Sequence, residues 1–225
     1  VPYFDDAEFN IIQDNYWHSY SFGMANATIV GRPQNNVQQI GIYVQDNAKG
    51  PIRIALKEMK LQPAPEKGYV SLTFDDGYID HYWAAQVMEQ FNFRGTAYIM
   101  PRQIGQPAYM NLQQIRELKN RYGWGISSHH EIPYTDFAPN KLEQEIRFTL
   151  EQLSRNGFSS SAPHLAYPLG KQNREYVLPQ VRQHFDTARA AGGGIETFPP
   201  ADPHLLRTFN VLDTTKPEEI VEVVK

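Results

Sequence analysis

Two adjacent carboxylates, Asp75 and Asp76, follow the apolar run Tyr69 to Phe74 and precede Gly77-Tyr78. Like charges side by side repel, so such a pair is costly unless a cation or a shared proton relieves it. A divalent metal would do so, with Asp76 as its ligand and Asp75 free to take a proton from an activated water. Gly77 lets the backbone turn sharply at that point. A solvated Asp-Asp-Gly turn has the same letters, and spacing alone leaves both readings open. Two further segments could carry chemistry: Ser127-Ser128-His129-His130-Glu131 and Ala166-Tyr167-Pro168-Leu169-Gly170. The chain has no cysteine, which excludes thiolate nucleophiles, disulfides and Cys-ligated zinc. Any metal must therefore be held by His and carboxylate.

The elements that must position these residues alternate after Gly68. Tyr69 to Phe74 reads as a strand, Asp80 to Phe91 as a helix, Thr96 to Met100 as a strand, and Asn111 to Arg121 as a helix with Leu112, Ile115 and Leu118 on one face. Trp124 to Ser127 is the next strand. In the helix after it Asn140 is the expected cap, with Glu143 three residues on as in a capping box. Leu142, Ile146, Leu150 and Leu153 form its apolar stripe, which ends before Gly157. Leu165 to Tyr167, Thr187 to Ala190 and Leu205 to Val211 are further strands, with helices from Arg174 to Phe185 and from Pro217 onward. Strands separated by helices predict an α/β fold with a parallel sheet or barrel, whose ligands gather at the carboxyl ends of the strands. All three chemical segments fall at such ends.

Residues 1 to about 62 have a different rhythm. Thr28-Ile29-Val30, Gln39 to Val44 and Ile52 to Leu56 lie between Gly, Pro and Asn breakers, as strands of a sandwich do. Gln62 to Gly68, with Pro63 and Pro65, reads as a linker. The expected division is a β-rich segment with its linker over 1–66 and an α/β unit over 67–225. Of the 225 residues, 41% are hydrophobic and 12% aromatic, ample for a packed core. A net charge of -4 argues against nucleic acid as the main partner. No stretch reaches the roughly 18 to 20 continuous apolar residues that a bilayer-spanning helix needs. The missing cysteine fits an extracellular or cell-surface protein.

Ser71-Leu72-Thr73-Phe74-Asp75-Asp76-Gly77-Tyr78 closely resembles the first motif of the polysaccharide deacetylase family, the NodB-type carbohydrate esterases. The resemblance continues in order through Ile126 to His129, Ala166 to Asn173, and Thr187-Ala188-Arg189, and so covers roughly Gly68 to Lys225. It implies a distorted parallel (β/α) barrel, with Asp75 as catalytic base and Asp76 and His129 as metal ligands. The family's second motif has a second His four residues after the first, but here those positions hold Pro133 or Tyr134. His130 or Glu131 is the expected replacement from the same loop, with His130 preferred. The third motif carries an Arg two residues before its Pro, where this chain has Ala166, and Arg189 is the expected substitute by charge and reach.

What the resemblance implies about function is removal of acetyl groups from an acetylated polysaccharide or oligosaccharide, either an N-acetylglucosamine polymer or an acetylated plant glycan. The metal would be zinc or another late divalent ion. Tyr78, Tyr167, Pro168 and Gly170 are the expected substrate contacts, and a backbone N–H near Tyr167 would hold the oxyanion. The family's last motif, a strand ending in a catalytic His, has no counterpart before Lys225. The barrel is thus expected to be incomplete at its C-terminus, with the last strand supplied by a further segment or a second chain, or lost. The competing expectation is a non-catalytic carbohydrate-binding or structural protein that retains the fold. His81, on the first helix, is expected to pack or face solvent, and His164, His184 and His204 to lie outside the site.

Overall fold

In the computed structural model, which describes residues 53–60 and 67–224, strand and helix alternate along the chain. Six strands, β1 (Leu72–Phe74), β2 (Gly95–Ile99), β3 (Gly125–Ser128), β4 (His164–Ala166), β5 (Thr187–Gly193) and β6 (Leu206–Thr208), form one sheet in chain order. Each neighbouring pair is parallel. Helices α1 (Asp80–Glu89), α2 (Leu112–Asn120), α3 (Pro139–Arg155) and α4 (Val177–His184) lie in the first four crossovers, and α5 (Pro217–Val224) follows β6. The sheet is a curled half-barrel, as one long-range contact requires. Arg189 on β5 bonds to Asp75 at the end of β1, whereas a flat sheet would hold those strands four spacings, about 19 Å, apart.

Apolar residues close the sheet against its helices in two clusters. Met88, Ile99, Ile115, Leu118, Trp124, Ile126 and Phe158 fill the space under α1 and α2. Leu142, Ile146, Leu165, Val181 and Phe185 fill the space under α3 and α4. Leu150 packs against both, so α3 joins them. The stripe expected on α3 is the one observed: Leu142, Ile146 and Leu153 are fully buried.

Local signals place the helix ends with one correction. Asn111 caps α2, accepting from the Gln114 N–H at 3.0 Å while the Gln114 side chain accepts from the Asn111 N–H at 2.9 Å. On α3 the expected cap, Asn140, lies inside the helix, which starts at Pro139 after Ala138 with no side-chain cap. Proline at the first helical position presets φ and has no N–H to satisfy, so the chain turns helical before Asn140. Residues 53–60 are exposed and form no strand, against the expectation for Ile52 to Leu56. The β-rich reading of the remaining early residues and the linker over 61–66 lie outside the described residues.

The two asparagines give a direct comparison. Asn111→Ala is expected to cost about 1 kcal/mol of stability, and Asn140→Ala less than about 0.5 kcal/mol, in urea unfolding monitored by circular dichroism.

Candidate active site

Side chains alternate across a strand, so the register decides what the half-barrel holds inside. Ile126 and Leu165 point outward into the helix-covered clusters. Tyr98 pairs in register with Ser127, and Ala166 with Arg189. Asp75, Tyr98, His129, Ala166 and Arg189 therefore share the inner face near the carboxyl ends of their strands. Ala166 fills little of that layer, and the guanidinium of its register partner crosses to Asp75. Arg189, expected in place of the family's missing arginine, thus reaches Asp75 from the strand next to Ala166 and at the same level.

The two carboxylates are sent to different partners. Arg189 Nη2 donates to Asp75 Oδ1, while Asp76 Oδ1 lies 3.2 Å from His129 Nε2. The backbone makes this division: Asp76 has φ 75° and Gly77 φ 85°, two consecutive left-handed residues. Aspartate tolerates that region better than most residues, yet the conformation costs on the order of 1 to 2 kcal/mol. At Gly77 a Cβ would come within 3.1 Å of the Ile99 side chain, so glycine is required there on both counts. The His129 ring beside it holds the Asp76 carboxyl below the usual carboxylate range, against the opposing effect of burial.

The donor set suits a divalent cation. His129 is buried, and its Nδ1 lies 2.8 Å from the Ala166 carbonyl, which can only accept. Nδ1 must therefore carry the proton, and in the neutral ring Nε2 presents a lone pair toward Asp76 Oδ1. Two acceptors face each other at 3.2 Å, a separation that a shared cation, either a proton or a metal, makes favourable. Donors about 2.0 to 2.2 Å from one tetrahedral zinc ion lie roughly 3.3 to 3.5 Å apart, close to this separation. Among the described residues no third His, Asp or Glu joins them. The pair is one protein ligand short of the usual three.

Of the other expected site residues, His130 and Glu131 are not brought to this pair. Strand alternation sends His130 to the opposite side from His129, where its Nε2 lies 3.0 Å from Arg102 Nη1 and 3.2 Å from Glu145 Oε2. Glu131 Oε2 faces the same Arg102 at 3.5 Å. Tyr167 is 2% exposed, its ring lies in the second apolar cluster, and its hydroxyl donates to the His204 carbonyl at 3.1 Å. It offers no face to a sugar. Its N–H, expected to hold the oxyanion, donates instead to the Arg189 carbonyl at 3.0 Å. Pro168 is buried, and Gly170 is tight because a Cβ there would meet the Ala191 N at 2.8 Å. These three shape the turn after β4. Tyr78 alone of the expected contacts is open, 40% exposed beside Asp76.

Two residues at the site gave no signal as separate motifs. Tyr98 lies under Arg189, with the guanidinium 4.6 Å from its ring centre. Strand alternation counted from Asp75 would have found it. Tyr109 stacks on Tyr78 with ring centres 4.8 Å apart, and its loop is bound to the Asp-Asp-Gly turn by Met110 N–H to Gly77 O at 3.0 Å. Nothing local in the sequence announces that pairing. The remaining histidines behave as expected: His164 bonds Thr187, His184 lies near Glu143, and His204 bonds the Phe185 carbonyl.

A family model described as polysaccharide deacetylase matches residues 62–185, more than half of the chain. A putative polysaccharide deacetylase of Bacillus subtilis strain 168, YxkH, is 27% identical over 114 residues, covering 49% of this chain and 40% of its own length. The chain thus matches less than half of that relative. Among solved structures, the Streptococcus pyogenes deacetylase PplD superposes with a TM-score of 0.63 at 22% identity over 72% of each chain. A polysaccharide deacetylase from Bacillus cereus gives 0.61 at 17% identity, over 69% of this chain and 51% of its own. A de-N-acetylase from Aggregatibacter actinomycetemcomitans gives 0.58 at 18% identity, over 71% and 76%. At these identities the structures show a common fold.

His81 supplies a test of the site's electrostatics. Its ring lies against Phe74 and Tyr78, with centres 5.4 and 6.2 Å away, and its Nδ1 is buried without a hydrogen-bond partner. Burial pushes its pKa below the ordinary imidazole value, against the pull of Asp75, Asp76 and Asp80. The unfolded chain takes up this proton near pH 6.5 and the folded chain only lower, so stability is lost as pH falls through that window. His81→Phe should remove this contribution. The difference in melting temperature between variant and native protein should move in the variant's favour from about pH 7 to about pH 5.

Proposed function

The chain belongs to the polysaccharide deacetylase family, and on that premise we propose that it is a metal-dependent hydrolase that removes acetyl groups from a polysaccharide. The observation that carries this reading is the division of the adjacent carboxylates, Asp75 to Arg189 and Asp76 to His129. A structural turn has no need of it, whereas hydrolysis needs one carboxylate as ligand and the other as base. Asp76 and His129 would hold a divalent ion, zinc or another late metal, which supplies carbonyl polarisation and a more acidic water.

The chain's own residues then have separate tasks. Arg189 bonds Asp75 Oδ1, which leaves Oδ2 to take the proton of the attacking water. Tyr98, beneath the guanidinium, keeps Arg189 directed at Asp75. The same Asp75 proton can return to the departing nitrogen or oxygen. Tyr78, backed by Tyr109, offers an exposed aromatic face for a sugar ring beside Asp76. Such a substrate places the enzyme outside the cell or at its surface. The incomplete donor set supports a second reading, a carbohydrate-binding protein on a deacetylase fold.

One set of measurements separates the two. Native protein loaded with zinc should bind about one ion per chain and release acetate from acetylated oligosaccharides. Asp75→Asn should keep the ion and lose roughly a hundred- to ten-thousandfold in turnover. Asp76→Ala should lose the ion. A native protein that holds zinc and releases no acetate would establish the binding protein instead.

A further inference from the structure

Among the helices of the first four crossovers, α1 has large apolar residues on both of its sides. Ala85 and Met88 are buried in the cluster beneath it. Trp83 and Val87, four apart and so on one face, are each 56% exposed. Phe91 continues their spacing into the turn after the helix and is 65% exposed. The outer face of α3 is built differently, from the ion pairs Arg147–Glu143 and Arg155–Glu151. A surface helix keeps its outer face polar, and a helix that is apolar all round is one that is covered all round.

The apolar surface does not stop at the helix. The Phe93 ring lies beside that of Phe91, with centres 6.4 Å apart. Val70, two residues before β1, and Phe93, two residues before β2, stand at the same end of that parallel pair, and both are exposed. Trp83 and Phe91 are about 12 Å apart along the helix direction, at 1.5 Å per residue. The result is a band from the first turn of α1 to the amino ends of β1 and β2. Single exposed apolar side chains are ordinary, but a band that holds Trp83, Phe91 and Phe93 with two valines marks a contact surface. Residues 53–60 are themselves exposed along their length, so they do not cover it.

We propose that this band is the docking face for residues 1–52 of the same chain. They join the barrel through residues 53–67, which lead directly to Val70 at one end of the band. Extended at 3.3 to 3.6 Å per residue, that tether reaches about 50 Å, well beyond the length of the band. It holds the segment at an effective concentration on the order of millimolar, which a second copy of the chain at micromolar concentration does not match. The segment has apolar residues to offer, among them Trp17, Phe22 and the alternating Ile40, Ile42 and Val44. A membrane surface is disfavoured as the occupant, because α1 carries Asp80 and Glu89 and no Lys or Arg to meet anionic lipid. Since α1 starts just after the Asp-Asp-Gly turn, the docked segment flanks the cleft beside Asp76 and Tyr78. The inference goes beyond the acetyl-removing chemistry and does not depend on it.

The chain has no cysteine, so single introduced thiols report on this face without background. In the full chain the thiol of Val87→Cys should react with a maleimide roughly tenfold or more slowly than that of Glu151→Cys on the charged face of α3. A benzophenone carried by Gln86→Cys, an exposed position at the rim of the band, should cross-link on irradiation to a peptide from residues 1–52, at the mass of one chain. Adding Trp83→Glu puts a charge into the covered face, so it should restore fast labelling at Val87→Cys and abolish the cross-link. Equal labelling rates for the two thiols would leave the band bare and overturn the proposal. A cross-link at twice the chain mass would make the occupant a second copy and overturn it too. So would slow labelling without a cross-link to residues 1–52, or slow labelling that survives Trp83→Glu.

Discussion

Two negative charges on consecutive residues at a strand end have to be kept apart, and much of this half-barrel is arranged around that requirement. The positive φ of Asp76 turns its carboxylate away from that of Asp75. Each then meets a different partner from a different strand, Arg189 on β5 or His129 after β3. Arg189 could not reach a flat sheet's first strand four spacings away, so the electrostatics of the turn and the curl of the sheet depend on each other.

The same layer explains how the chain tolerates departures from its family. Position 166 is the small residue Ala166, and its register partner on the next strand is Arg189. Moving the cation one strand over keeps it at the same height inside the barrel, and the missing side chain at 166 leaves space for it to cross. Ala166 also contributes its carbonyl, which fixes the His129 tautomer and leaves Nε2 facing Asp76. One backbone position therefore serves both halves of the site.

The fold was legible because its helices and strands follow distinct periods. The α3 stripe of Leu142, Ile146 and Leu153, the strand before Asp75 and the strand before His129 could each be read from local pattern. Helix ends were less secure, since Pro139 overrode the polar signal at Asn140. Motif and charge singled out Asp75, Asp76, His129 and Arg189, and the fold brings Asp75 to Arg189 and Asp76 to His129. His130 was misplaced because adjacent residues on an extended segment point to opposite sides, which counting from His129 would have shown. Tyr167 was misplaced because a motif position next to a site says nothing about whether its ring turns inward or into the core. Tyr109 depends on a loop folding back over the Asp-Asp-Gly turn, a long-range contact without a local signature.

The central claim is that the two carboxylates have separate duties, with Asp76 and His129 holding a metal and Asp75 kept off it by Arg189. Anomalous X-ray scattering from crystals of the protein soaked in zinc tests this most directly. The account predicts one peak within about 2.0 to 2.3 Å of both Asp76 Oδ1 and His129 Nε2, with Asp75 still on Arg189. A peak bridging Asp75 and Asp76, or one at His130 and Glu131 with none at His129, would contradict it.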